Sequence, residues 1–206
     1  MSADVIRPRL RRAFLAVAAV TCVTVFASTG VALASCPTPP VSNPFSQWGD
    51  SNDYFLVPGG SFEGTADQLG WTLSNASLTP GNEPFNVNDP GDQQSLTINA
   101  GGSATSPYFC VDDSMSGLRF FAQQAGAGTD LRVKALLQNS DGSVTVVALA
   151  DFADGSMPAW APTDSLGGSG HLPAGSSLMV ALRFRAPASS GSWQIDDIYV
   201  DPYRSG

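Results

Sequence analysis

The chain has 206 residues, a formal net charge of −8, 43% apolar side chains, 21 glycines, 15 prolines and three cysteines. An acidic chain of this kind is a poor partner for nucleic acid or an anionic membrane surface, and its apolar content excludes a disordered tail. Few Lys and Glu beside abundant Gly, Pro, Ser and Thr disfavour long helices.

Residues 1–34 read as a signal peptide. Arg7, Arg9, Arg11 and Arg12 form a positive start, Phe14 to Val31 is apolar, and Ala32-Leu33-Ala34 offers small residues for cleavage. Arg11-Arg12-Ala13-Phe14-Leu15 also fits a twin-arginine export signal. The competing reading, a membrane anchor, is disfavoured by the many Ala and Thr and by the cleavage-like end. No transmembrane segment is expected after signal removal. Leu33-Ala34-Ser35-Cys36 also fits a lipobox, so two fates stand open for Cys36. One is a disulfide with Cys110 in a secreted protein, since Cys22 leaves with the signal. The other is a lipid anchor at the cell surface through Cys36.

Residues 35–47 are a proline-rich extended lead-in, and 48–206 form one domain. Short strand-like runs then recur between turn residues. They are 54–57, 70–74, 95–99, 108–111, 118–123, 131–137, 143–150, 178–185 and 192–201. Ser140-Asp141-Gly142 is a hairpin turn. Residues 151–177 read as a long loop. The predicted fold is all-β: a jelly-roll, galactose-binding-like β-sandwich of two antiparallel sheets.

The last strand, Gly191 to Tyr203, poses a problem. Successive strand residues face opposite ways, so one of Asp196 and Asp197 must share a face with apolar neighbours. A buried carboxylate is costly unless it is paired or binds a metal. Alternation also puts Arg119, Arg132, Lys134, Arg183 and Arg185 on the polar faces of their strands. If those strands share a sheet, they form a basic stripe suited to an anionic polymer such as an acidic glycan or teichoic acid. The plainer reading is cross-strand pairing with nearby Asp.

Catalytic signals are thin. The single histidine, His171, sits among loop glycines, and no Gly-x-Ser-x-Gly elbow or phosphate-binding glycine pattern occurs. A zinc site lacks His and Cys ligands once Cys36 and Cys110 pair. Glu63 and Glu83 are the only glutamates for a glycosidase pair. The chain reads as a non-enzyme.

Gly60-Ser61-Phe62-Glu63, followed by Gly70-Trp71 and by Ile195-Asp196-Asp197-Ile198 at the far end, resembles carbohydrate-binding modules of the family-4 and family-9 type. Phe45 to Asp50, Leu56 to Glu63, Gly81 to Phe85, Ser103 to Cys110 and Ile195 to Tyr203 resemble a set of uncharacterised secreted actinobacterial jelly-roll proteins. The first resemblance implies a structural calcium held by first-strand and last-strand acids, here Glu63 and Asp196 with Asp197 beside it. One Asp then serves the cation while the other faces solvent or caps a turn.

It also implies a carbohydrate ligand stacked on exposed aromatic rings. Trp160, between two prolines in a loop, and Tyr108 are the candidates, with Arg183 and Arg185 for an anionic ligand. Tyr54 is a weaker one. Trp71 and Trp193 read as core, and Trp48 as a plug at one end of the sandwich. The expected function is a secreted, monomeric, non-catalytic module binding polysaccharide or cell-wall glycan. The alternative is a structural or protein-interaction domain of the cell envelope.

Overall fold

The computed structural model describes residues 36–113, 115, 117–167, 176–187 and 190–201. The proposed signal peptide and His171 lie outside the described residues. A short 3-10 turn, Ser46–Trp48, precedes β1 (Phe55–Leu56) and the one-turn helix α1 (Ala66–Leu69). Then come β2 (Thr72–Pro80), β3 (Gln94–Thr105), β4 (Phe109–Asp112), β5 (Gly117–Gly126), β6 (Leu131–Gln138) and β7 (Val144–Phe152). β8 (Ala161–Pro162), β9 (Ser177–Arg185) and β10 (Ser192–Asp201) complete the order.

These strands make an antiparallel jelly-roll β-sandwich, as the alternation predicts. The hydrogen-bonded order is β7-β6-β9-β3-β10-β5-β8, with β1 on β10, β2 on β3 and β4 on β9. The two layers are therefore continuous through one long strand. β3 pairs with β10 over Leu96 to Asn99 and with β9 over Ser103 to Thr105. Gly101 and Gly102 lie at the crossing. A Cβ on Gly102 would stand 2.4 Å from the Asn75 carbonyl oxygen, so only glycine lets β2 and β3 stay paired there. In sequence that glycine pair resembles a strand end, and β2 and β3 both run longer than predicted. β8 lies inside the stretch read as loop: Pro162 and Ala161 are too short a run to announce a strand.

The main core lies between the layers. Phe62, Trp71, Phe120, Phe184 and Trp193 fill it, with Leu96, Ile98, Leu131, Val133 and Leu182. Trp71 and Trp193 are core, as predicted. The Ser140-Asp141-Gly142 turn closes the β6–β7 hairpin, with Gly142 at φ 82° and the Asp141 carboxylate accepting the Ser143 amide at 2.9 Å.

A second, aromatic cluster lies on the other face of β5 and β10. Phe45 stacks on Phe121 at 5.5 Å and meets Tyr54 and Tyr199 edge-on at 4.9 and 5.7 Å. The segment carrying Phe45 covers this face and so corrects one expectation. Arg119, assigned to the basic stripe, is buried. Its Nη1 donates to Asp50 at 2.5 Å and its guanidinium lies 4.1 Å from the Phe45 ring centre. A polar-face position is exposed only if nothing folds over it. Cys36 and Cys110 form a disulfide with Cα atoms 5.4 Å apart, which ties the lead-in to β4. Among the described residues no helix is long and apolar enough to cross a membrane.

Candidate functional site

The puzzle of the two aspartates is resolved by a β-bulge. β10 pairs with β5 as Asp196↔Phe121 and then Tyr199↔Arg119, so β10 carries one extra residue. Asp197 sits there in the left-handed region, at φ 46°. The bulge flips the alternation. Ile195 faces the main core before it, Ile198 and Val200 face that core after it, and Tyr199 joins the outer aromatic cluster. Gly60 packs against the bulge: a Cβ there would meet the Val57 and Ile198 carbonyl oxygens at 2.9 and 3.1 Å.

Both aspartates are fully buried. This corrects the expectation that one of them faces solvent. Asp196 accepts the Glu83 amide at 3.1 Å and the Asp197 amide at 2.9 Å. Glu83, also fully buried, turns the loop after β2: its carboxylate accepts the amides of Phe85 and, at 2.8 Å, Val87. Asp197 differs from both. Among the described residues neither of its carboxylate oxygens has a hydrogen-bond partner, and the buried Tyr199 hydroxyl and Asn82 Oδ1 also lack one. The Asn88 backbone amide faces Asp197 and opposes its shift, but without hydrogen-bond geometry.

Electrostatics compound the burial. Desolvation first, then the Asp197 charge, push Asp196 up to about 9. Desolvation first, then Glu83 and Asp92, push Asp197 up to about 8. Burial also raises Glu83 and Asp92 above the usual carboxylate range. The leading charges on this group are all carboxylates. Arg119, opposite Tyr199 in register, is engaged by Asp50. Burial raises Asp50, but the Tyr54 hydroxyl, the Asn52 amide and Arg119 outweigh it and hold the group below its usual value.

Glu63 lies nearer the surface and belongs to the same region, since its charge acts on Asp197. Its Oε1 accepts the Gln93 and Gln94 amides at 2.6 and 2.7 Å, fixing the start of β3. Among the described residues no three acidic, His or Cys side chains converge at metal-ligand spacing. The residues offer oxygen donors, the type a hard cation takes, and among the described residues Asp197 leaves both carboxyl oxygens unpartnered.

Above the Glu83 loop stands an aromatic rim that sequence reasoning missed. Trp48 and Phe85 are 36% and 37% exposed and meet edge-on at 4.9 Å. Both rest on the buried Phe121, at 5.4 and 5.8 Å. Trp48, read as a plug at one end of the sandwich, instead lies half-open against the outer aromatic cluster of Phe45 and Phe121. Phe85 sat within the Gly81 to Phe85 stretch quoted for the resemblance, yet nothing in its loop spacing marked it as surface. Trp160 is half-buried and packs against the same outer cluster, and Tyr54 is buried within it. Tyr108, just before β4, is 39% exposed. Arg183 and Arg185 are exposed on β9, on the opposite side of the sandwich from the Asp50-bound Arg119.

No protein-family model and no curated protein matches the sequence. Solved structures do overlay on the chain. The xylan-binding domain of Xyn10C from Paenibacillus barcinonensis, a family-22 carbohydrate-binding module, is 13% identical. It covers 71% of this chain and 94% of its own at a TM-score of 0.47. A family-61 module solved with β-1,4-galactotriose is 10% identical, covering 70% and 96% at 0.42. An arabinose-bound family-51 α-L-arabinofuranosidase is 17% identical, covering 71% of this chain but 26% of the enzyme at 0.44.

Proposed function

We propose that the chain is a secreted, non-catalytic module that binds carbohydrate of the cell envelope or its surroundings. The observation that carries this reading is the Trp48–Phe85 pair. Two large rings, each more than a third exposed, are held edge-on above a buried aromatic base. The Glu83 clamp on the Phe85 and Val87 amides fixes the loop that presents one of them. A rigid, exposed aromatic pair offers a stacking face for a sugar ring at little entropic cost. Trp160 and Tyr108 extend the set of candidate contacts.

Calcium belongs to this reading as a structural ion. Asp197, Asp196 and Glu63 are the residues that would hold it, with Asp197 supplying the two unpartnered oxygens. When bound, calcium would supply positive charge to the buried carboxylates and keep them ionised. The carboxyls themselves argue against catalysis: Glu83, Asp196 and Asp197 are wholly buried, out of reach of a substrate. Cys36 has its sulfur in the bond to Cys110, which favours a freely secreted protein over a lipid-anchored one.

The test is binding of the purified protein to a panel of neutral polysaccharides and cell-wall fractions, with calcium and with EDTA. Trp48→Ala and Phe85→Ala are each expected to weaken binding at least about tenfold, the scale of a lost aromatic contact. Undiminished binding by the double variant, shown to be folded, would refute the platform. A protein-interaction role draws support from one feature. Val144 and Val146, 48% and 52% exposed on the edge strand β7, form a small apolar edge.

A further inference from the structure

A second, chemically different face is written in the strand register. Cross-strand partners in an antiparallel sheet project from the same side. Arg132 on β6 is opposite Arg185 on β9, Arg185 is opposite Ser103 on β3, and Ser103 is opposite Ser74 on β2. Two residues along, Lys134, Arg183, Thr105 and Thr72 line up in the same way. Between the two rows Val133, Phe184, Ala104 and Leu73 turn inward. The two rows therefore run side by side across four strands on the outer surface. Four cations stand at the β6–β9 end and four hydroxyls at the β3–β2 end.

This arrangement opposes what stability alone favours. Like charges directly opposite each other repel, and both cation pairs are of this kind. Asp151 on β7 lies opposite Arg132 and is the one acid in register with the quartet. None of the four cations forms an ion pair with a described residue. Among the described residues, the one side-chain hydrogen bond in the strip joins the Arg183 Nε to the Thr105 hydroxyl at 3.3 Å. Only six of the ten basic residues lie beyond residue 34, against seventeen acids. Four of those six meet here, on a chain that could have neutralised them with its own acids.

We propose that this strip binds an anionic polysaccharide bearing carboxylates. Arginine forks match carboxylates in paired geometry. The hydroxyl half of the strip offers hydrogen bonds to uncharged sugar groups along the same chain. Duplex DNA is a poorer match: its phosphates are densely spaced, and the seventeen acids of the chain beyond residue 34 repel it. The face is distinct from the Trp48–Phe85 rim and does not depend on it.

The experiment measures binding of the full chain to polygalacturonate, to its fully methyl-esterified form and to duplex DNA, at low and high salt. Polygalacturonate is expected to bind, to weaken as salt screens it, and to outcompete both other polymers. Arg183→Gln with Arg185→Gln is expected to cost at least about tenfold in affinity, the size of one charge-assisted hydrogen bond. The same double variant should melt no lower than the parent, because it relieves like-charge pairs. Neutral-polysaccharide binding, measured in parallel on the parent, reports on the aromatic rim separately. The proposal is overturned by no binding to polygalacturonate, by equal binding to DNA, or by unchanged affinity in the folded double variant.

Discussion

Raising the pH should weaken the metal-free protein across a range where most proteins are indifferent. Burial and the Asp197 charge hold Asp196 up at about 9, and burial with the charges of Glu83 and Asp92 holds Asp197 up at about 8. In the unfolded chain an Asp titrates near 3.9. A raised folded value means that the folded state keeps its proton where the unfolded state has lost it. The stability this contributes is complete below the unfolded value. It is lost as pH climbs toward the folded one. Each carboxyl so held costs about 1.4 kcal/mol per pH unit, or about 2.7 kcal/mol between pH 5.5 and 7.5. For a domain of this size that is a fall in Tm of about 5–10 °C for one carboxyl. Glu83 and Asp92 are shifted in the same direction, also by burial. Asp50 is lowered, so its contribution fades only at acid pH and does not mask the effect.

The assay is thermal melting by circular dichroism at the two pH values, in EDTA and in excess calcium. In EDTA, Asp197→Asn should flatten the pH dependence and melt above the parent at pH 7.5, because it removes one proton-linked charge. Calcium should raise the parent's Tm more at pH 7.5 than at 5.5, since ionised carboxylates bind it. The variant should lose most of that gain. A parent whose Tm is flat across this range in EDTA would refute the reasoning about buried, protonated carboxyls. A normal pH slope with no calcium response would leave the protonation argument standing and remove the ion.

Two further outcomes follow from packing and covalent structure. Gly60→Ala pushes a methyl against two backbone oxygens at about van der Waals overlap, so it should destabilise by about 1–3 kcal/mol in urea melts. Stability within error of the parent would show that the bulge moves freely. Cys36→Ser opens a loop spanning a separation of 74 residues, worth roughly 4 kcal/mol in the chain-entropy model. A loss below about 1 kcal/mol would mean that the lead-in is already held by Phe45 and its ring contacts.

The sandwich was legible because its strands obey simple alternation. Leu178, Val180, Leu182 and Phe184 turn inward as their spacing requires, and β6 does the same with Leu131, Val133 and Ala135. The acids at the site were legible as anomalies but not as geometry. A bulge at a non-glycine residue leaves no composition signal, so strict alternation assigned Asp196 and Asp197 to opposite faces when both are interior. Arg119 failed for a related reason: alternation gives a side, and the segment folded over that side comes from residues 43–54. Phe85 and Trp48 meet only because the 3-10 turn and the loop after β2 converge on Phe121, a long-range fact with no local trace.

The disulfide also decides how the protein bears load. A pull applied on the N-terminal side of Cys36 passes through the sulfurs straight to Cys110 and into β4, paired along β9. The chain between the two cysteines is bypassed. The Phe45 cap, the Trp48–Phe85 rim and the Glu83 loop all lie within that bypassed segment. A tethered or dragged molecule would thus transmit force through its sheet while its aromatic rim carries none of the tension.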